Sequence, residues 1–124
     1  MIRQFRLVYY TMFAMVAFAT LCVAQELPSP SAQVVLQVSG DIAHTNNGKV
    51  AEFDMPMLTA LDSTQIETKT IWTDGVQNFV GVELGTLLEY LGGKNGSLTI
   101  YAINDYAVEI PPEDAVPGGA MIAY

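Results

Sequence analysis

Residues 7–23 form an uncharged run of 17 residues behind Arg3 and Arg6, and this run decides how much of the chain is left to fold. A basic start, an apolar middle and a small-residue end mark a secretory leader. Cys22-Val23-Ala24 supplies a small-x-small site, which predicts a signal peptide over residues 1–24 with cleavage after Ala24. A helix over the run rises only about 25 Å, short of the roughly 30 Å hydrocarbon core of a bilayer. An uncleaved N-terminal anchor is the alternative. Lipid attachment at Cys22 is disfavoured by Leu21, where a lipoprotein signal needs a small residue.

With the leader removed, 100 of the 124 residues remain, and both arginines and the sole cysteine have gone. Lys49, Lys69 and Lys94 then face 13 acids, a net charge of -10. That length supports one domain, and the 51% hydrophobic composition of the whole chain, with apolar residues spread evenly along it, excludes a disordered or collagen-like chain. The lack of thiols excludes a disulfide framework and a Cys-rich metal site, and suits an oxidising compartment. The acidity excludes nucleic acid and, once the leader is cleaved, an anionic membrane surface as partners. The expected location is periplasmic or secreted.

Residues 25–33 read as an extended, mobile Pro/Ser spacer, and the domain is expected over 34–124. Residues 34–38 read as a strand ended by Gly40-Asp41, and 44–49 as a polar turn around Asn47-Gly48. Asp54 reads as the N-cap of a short helix through Met57, Leu58 and Leu61, with Pro56 in its first turn. Residues 65–72 alternate as a half-buried strand. Leu84, Leu87, Leu88 and Leu91 mark a helix over 82–91 with an apolar core face, stopped by Gly92-Gly93. Residues 97–103, 106–110 and 120–124 read as strands, with Pro111-Pro112 blocking extension of the second. This order predicts an α+β fold, a mixed irregular sheet with two short helices. The apolar end Met121-Ile122-Ala123-Tyr124 predicts a strand without its partner, and hence a domain incomplete at its C-terminus.

Little of this sequence suits nucleophilic or phosphate chemistry. Gly-x-Ser-x-Gly is absent, and Gly92-Gly93 and Gly118-Gly119 lack the Lys-Ser/Thr of a phosphate loop. His44, the single histidine, reads as a solvated turn residue. A metal site would have to gather Asp41, Glu52 or Asp54 around it. Tyr90, Tyr101 and Tyr106 read as core aromatics before pocket residues. Thr70-Ile71-Trp72-Thr73-Asp74-Gly75 is the most distinctive segment. It is either a turn anchored by a buried Trp72 or a binding loop.

Trp72-Thr73-Asp74-Gly75, then Phe79-Val80-Gly81-Val82-Glu83-Leu84, then Leu87-Leu88, resembles the oxidoreductase molybdopterin-binding domain of the sulfite oxidase family. Asn104-Asp105-Tyr106 with Val108-Glu109-Ile110-Pro111 is similar to a later segment of that domain. Gly119-Ala120-Met121-Ile122-Ala123-Tyr124 is similar to the strand that precedes an Asn/Asp-Gly turn in that domain. The resemblance runs from about residue 34 to 124 and implies that family's mixed α+β fold. It places cofactor-contacting positions at Thr70, Trp72, Asp74, Asn104, Asp105 and Tyr106. Catalytic members hold molybdenum through a cysteine, whereas the nearest positions here are Thr68, Lys69 and Thr70, and a hydroxyl or amine does not replace a soft thiolate. The family's pterin phosphate is held largely by cationic side chains, and residues 25–124 contain no arginine. The resemblance therefore implies a non-catalytic relative, with no catalytic or metal-ligating residue and no bound molybdopterin. It would bind a small ligand or a periplasmic protein partner. The alternative is a periplasmic molybdopterin-dependent oxidoreductase, or a subunit of one, with ligands supplied by a missing C-terminal portion or a partner chain.

Overall fold

Val34–Ser39 (β1) alternates half-buried and exposed residues and turns back through Asn47-Gly48 into Val50–Asp54 (β2). The two strands pair antiparallel, and Gly48 takes the positive φ of 60° that the turn needs. Ala51 and Phe53 of β2 are completely buried. The computed structural model describes residues 26–94 and 96–124. The leader expected over 1–24 lies outside the described residues.

Helix α1 (Met55–Thr59) follows β2 directly, with Asp54 as the expected N-cap and Pro56 in the first turn. Thr64–Thr68 (β3) pairs antiparallel with Gln77–Glu83 (β4), which runs into helix α2 (Leu84–Tyr90). Leu98–Tyr101 (β5) and Ala107–Ile110 (β6) form a further hairpin. A 3-10 turn over Pro112–Asp114 leads to Met121–Ala123 (β7), which pairs antiparallel with β4.

The fold is α+β with two short helices, as expected, but its strands are distributed differently. The seven described strands form three small sheets, β1-β2, β3-β4-β7 and β5-β6, in place of one mixed sheet. Connections of ten, eight and five residues within the β1-β2, β3-β4 and β5-β6 pairs favour an antiparallel arrangement, since parallel pairing needs a longer crossover. Val82 and Glu83, expected in the helix, belong to β4, so the apolar run serves a strand before it serves a helix. The expected strand over 65–72 ends at Thr68.

One apolar cluster unites these pieces: Leu27, Ala51, Phe53, Leu58, Val82, Leu87 and Leu91 are buried together, flanked by Leu36, Val38, Met57 and Ile122. Leu84 and Leu87 of α2 and its C-cap Leu91 are buried, while Leu88 is only half-buried, at the edge of the face. Tyr90 stands beside Phe53 with ring centroids 6.4 Å apart. The helix closes at Gly92, whose φ of 61° is unfavourable for a side-chain-bearing residue. The amides of Ala43 and His44 then donate to the Leu91 carbonyl at 2.9 and 3.0 Å.

One expectation about the Pro/Ser segment and one about the pairing of residues 121–123 are corrected. The Pro/Ser segment is docked rather than a free spacer: Leu27 is buried in the core, and Pro28 O accepts from Asn46 Nδ2 at 2.7 Å. The same Asn46 amide pairs with both backbone groups of Glu52, joining segment and strand. At the other end, β7 has its partner. Gly81, Val82 and Glu83 lie opposite Ala123, Ile122 and Met121, and the Leu84 amide donates to Ala120 O at 2.9 Å. Gly81 makes this approach feasible, because a Cβ there would collide with the Ile122 carbonyl.

Candidate functional site

Thr70, Trp72 and Asp74 share the turn that joins β3 to β4. The hydroxyls of Thr70 and Thr73 lie 2.9 Å apart, and the Trp72 amide donates to Thr70 Oγ1 at 3.2 Å. Thr70 thus organises the turn through its own backbone neighbourhood, as threonine does in such loops. Gly75 closes it with φ 74°, and Gln77 Nε2 donates to the Asp74 carbonyl at 2.7 Å. The Asp74 carboxylate is exposed. Trp72 is 86% exposed and Ile71 88% exposed, so the ring does not anchor the turn from within. The Thr70 hydrogen bonds shape the loop, which leaves the indole free of that task.

Asn104, Asp105 and Tyr106 form the turn between β5 and β6. The Asp105 amide donates to Ala102 O at 3.0 Å and the Ala102 amide to Tyr106 O at 2.8 Å. The turn ends on a left-handed residue, Asp105 at φ 63°. Asn104 Oδ1 accepts from the Tyr106 amide at 3.3 Å, the Asx geometry that favours such a turn. Tyr106 is 67% exposed, and Tyr101 and Ile103 are exposed beside it. Tyr101 and Tyr106 are therefore not core residues as expected. The buried core cluster consists of leucines, Phe53, Ala51 and Val82, and no residue of the β5-β6 hairpin belongs to it.

The six residues named from the sequence thus fall into two groups of three, at the turns of two different sheets. Among the described residues no hydrogen bond joins one group to the other. Each group presents exposed aromatic or apolar side chains next to a carboxylate.

Two residues with a larger part than expected lie elsewhere. His44 is half-buried at the end of α2, where it lines a hollow of about 290 Å³ with Glu26, Leu27, Pro28, Glu89 and Tyr90. It is held there because its backbone is tied to Leu91, so it is not the freely solvated turn residue expected. Asp54 is completely buried. Its Oδ1 accepts from the Met57 amide at 2.9 Å, and its Oδ2 from the amides of Ser31 and Ala32 at 2.6 and 2.9 Å. The Met57 hydrogen bond, with those from Ala32 and Ser31, holds its carboxyl below the ordinary range, against the opposing effect of burial. The N-cap was legible from Asp54-Met55-Pro56; the bonds from Ser31 and Ala32 were not. Among the described residues, no three of His, Cys, Asp and Glu converge as a metal-binding group.

No protein-family model and no curated protein matches the chain.

Proposed function

We infer that the chain is an exported, non-catalytic relative of the sulfite-oxidase-type molybdopterin-binding domain, which acts by binding a partner through exposed hairpin ends. The observation that carries this reading is the solvent exposure of Trp72 and Tyr106, each presented on an ordered turn. Large aromatic side chains held outward by a rigid turn are costly to leave in water and effective when covered by a partner. The local chemistry also favours binding over molybdenum catalysis. Thr68, Lys69 and Thr70 offer hydroxyls and an amine where a thiolate is required, and Asp74 and Asp105 bring negative charge to the turns that an anionic pterin phosphate would approach. The residues present do not fit that cofactor. The fold assignment rests on the order of the motifs around Trp72, Gly81 and Asn104, and export rests on the leader.

The test is expression in a host that both exports proteins and makes the molybdenum cofactor. Intact mass should place Gln25 first, and elemental analysis should find no molybdenum. Near-stoichiometric metal with co-purifying pterin fluorescence would overturn the non-catalytic reading. A membrane-bound product that begins at Met1 would overturn export.

A further inference from the structure

Two hollows adjoin along α2. The walls of the one beside His44, about 290 Å³, come from three parts of the chain that only the fold brings together. Glu26, Leu27 and Pro28 belong to the docked N-terminal segment, His44 to the β1-β2 connection, and Glu89 and Tyr90 to the last turn of α2. The second hollow, about 400 Å³, lies between Leu61 and Asp62 after α1 and Thr86 on α2, and it shares Glu89 and Tyr90 with the first. The two spaces therefore meet at one pair of side chains. None of their lining residues belongs to the turns around Trp72 and Tyr106, so this region is independent of the hairpin ends invoked above.

The chemistry of the walls selects a ligand. Among the described residues, the side chains of Glu26, His44, Asp62, Glu89 and Tyr90 have no hydrogen-bond or ion-pair partner. No Lys or Arg lines either hollow. Lys94, which follows α2, places its ammonium 3.1 Å from Asp41, and Lys49 and Lys69 are not among the lining residues. Three carboxylates without a cationic neighbour in the wall repel anions and favour cations. A bare metal ion is the wrong cation, because no three His, Cys, Asp or Glu among the described residues converge on one point. The acids are instead spread out, Glu26 on one side, Asp62 on the other and Glu89 shared. Charge spread in this way is matched by a molecule with a cation at each end. Between those ends the walls are aromatic and apolar, through Tyr90, Leu27 and Leu61, which suits methylene groups and lets an ammonium approach a ring face. The half-buried His44 adds an imidazole, whose unprotonated nitrogen accepts from an ammonium. A space of about 290 Å³ lies at the small end of ligand sites, roughly 300–1,000 Å³, and so takes a small molecule.

We propose that the paired hollows bind a linear aliphatic diamine. One ammonium lies among Glu26, His44 and Glu89, the other between Glu89 and Asp62, and the methylene chain passes over Tyr90. The docked segment is then part of a binding site, since it supplies Glu26 and the apolar wall of the first hollow.

The test is titration of isotope-labelled protein with 1,4-diaminobutane at physiological ionic strength. Saturable shifts are expected at 26–28, at the His44 ring, at 60–62 and at 86–91, with a dissociation constant of about a millimolar. 1-Aminobutane and N-acetyl-lysine methylamide, each with one ammonium, should bind about fivefold more weakly. 1,4-Butanediol, which keeps the length and loses the charge, should not bind. Glu89→Gln should weaken the diamine by at least the same factor, whereas Glu67→Gln, the same loss of charge on β3, should leave it intact. Asp62→Asn should bring the diamine down to the affinity of aminobutane and leave aminobutane itself unchanged. Equal weakening by Glu67→Gln and Glu89→Gln would reduce the effect to the general pull of an acidic chain and overturn the site. The same saturable shifts with calcium chloride would make it a metal site and overturn the amine. N-acetyl-lysine methylamide binding as tightly as the diamine would point to a lysine side chain as the occupant and overturn the free diamine. An unchanged diamine affinity in Asp62→Asn would overturn the two-ended arrangement. The absence of saturable shifts with any amine would overturn the proposal outright.

Discussion

Ser31 donates both its amide, at 2.6 Å, and its hydroxyl, at 3.1 Å, to the same oxygen of the buried Asp54 carboxylate. The other Asp54 oxygen caps α1 through Met57. One side chain therefore starts a helix and fastens the segment that carries Leu27 into the core.

Asp54 should make stability depend on acidity. Its folded carboxyl titrates below the ordinary value, chiefly through the Met57 amide and also through Ala32 and Ser31. A depressed acid contributes stability that is fully present above the unfolded value, about 3.9, and is lost as pH falls through the folded one. Asp54→Asn should melt several degrees lower than the parent at neutral pH. The gap should narrow as the pH is taken below about 4. A gap that is constant with pH would mean that the charge plays no part.

Gly81 should tolerate no side chain. Gly81→Val forces a Cβ against the Ile122 carbonyl, so β7 has to leave β4 or shift its register. Hydrogen exchange should show lost protection at Tyr124, whose amide bonds Val80 O, and at Leu84, whose amide bonds Ala120 O. Gly96→Ala, in open space, is the control and should leave both amides protected.

Leu87→Ala and Leu88→Ala should differ. Leu87 is buried in the core cluster, and its truncation should cost about 2–5 kcal/mol through lost transfer energy and the cavity left behind. Leu88 is half-buried and should cost clearly less. Denaturant unfolding of both variants measures the difference, and equal losses would place Leu88 inside the core.

Trp72, the single tryptophan, should report a water-exposed indole. Its emission should lie toward the red and be quenched readily by iodide. Trp72→Ser should leave the melting temperature nearly unchanged, because surface substitutions away from special features fall within about 0.5 kcal/mol. Blue-shifted, shielded emission would show the ring packed against the body.

Periodicity and local turn chemistry made β1, the Asn47-Gly48 turn, the Asp54 cap and the Gly92 stop readable from the residues. Strand β2 leaves little signature in the residues because it is short and interrupted by Glu52, although Ala51 and Phe53 alternate with it. The exposure of Trp72 and Tyr106 was not readable either, since aromatic residues beside strands are usually core. Their placement is set by hydrogen bonds to Thr70 and Asn104, which are local, and by how far each hairpin end lies from the leucine and Phe53 cluster, which is not. Docking of 26–33 needed Asn46 and Asp54 to be brought near it, and contacts of that range leave no period in a sequence.

The pairing of β4 with β7 sets an order in time. Strand β4 lies in the middle of the described chain, yet one of its edges stays open until residues 121–123 arrive to fill it. Its other neighbour, β3, is a nearby hairpin partner and can zip early. The last strand must close a long loop before it gains any contact, and such closures slow folding. During that interval Val82 and the start of α2 lack the backbone that later covers them. A chain delivered from its N-terminus onward completes this step only after residues 121–123 have emerged, so the centre of its sheet is finished late.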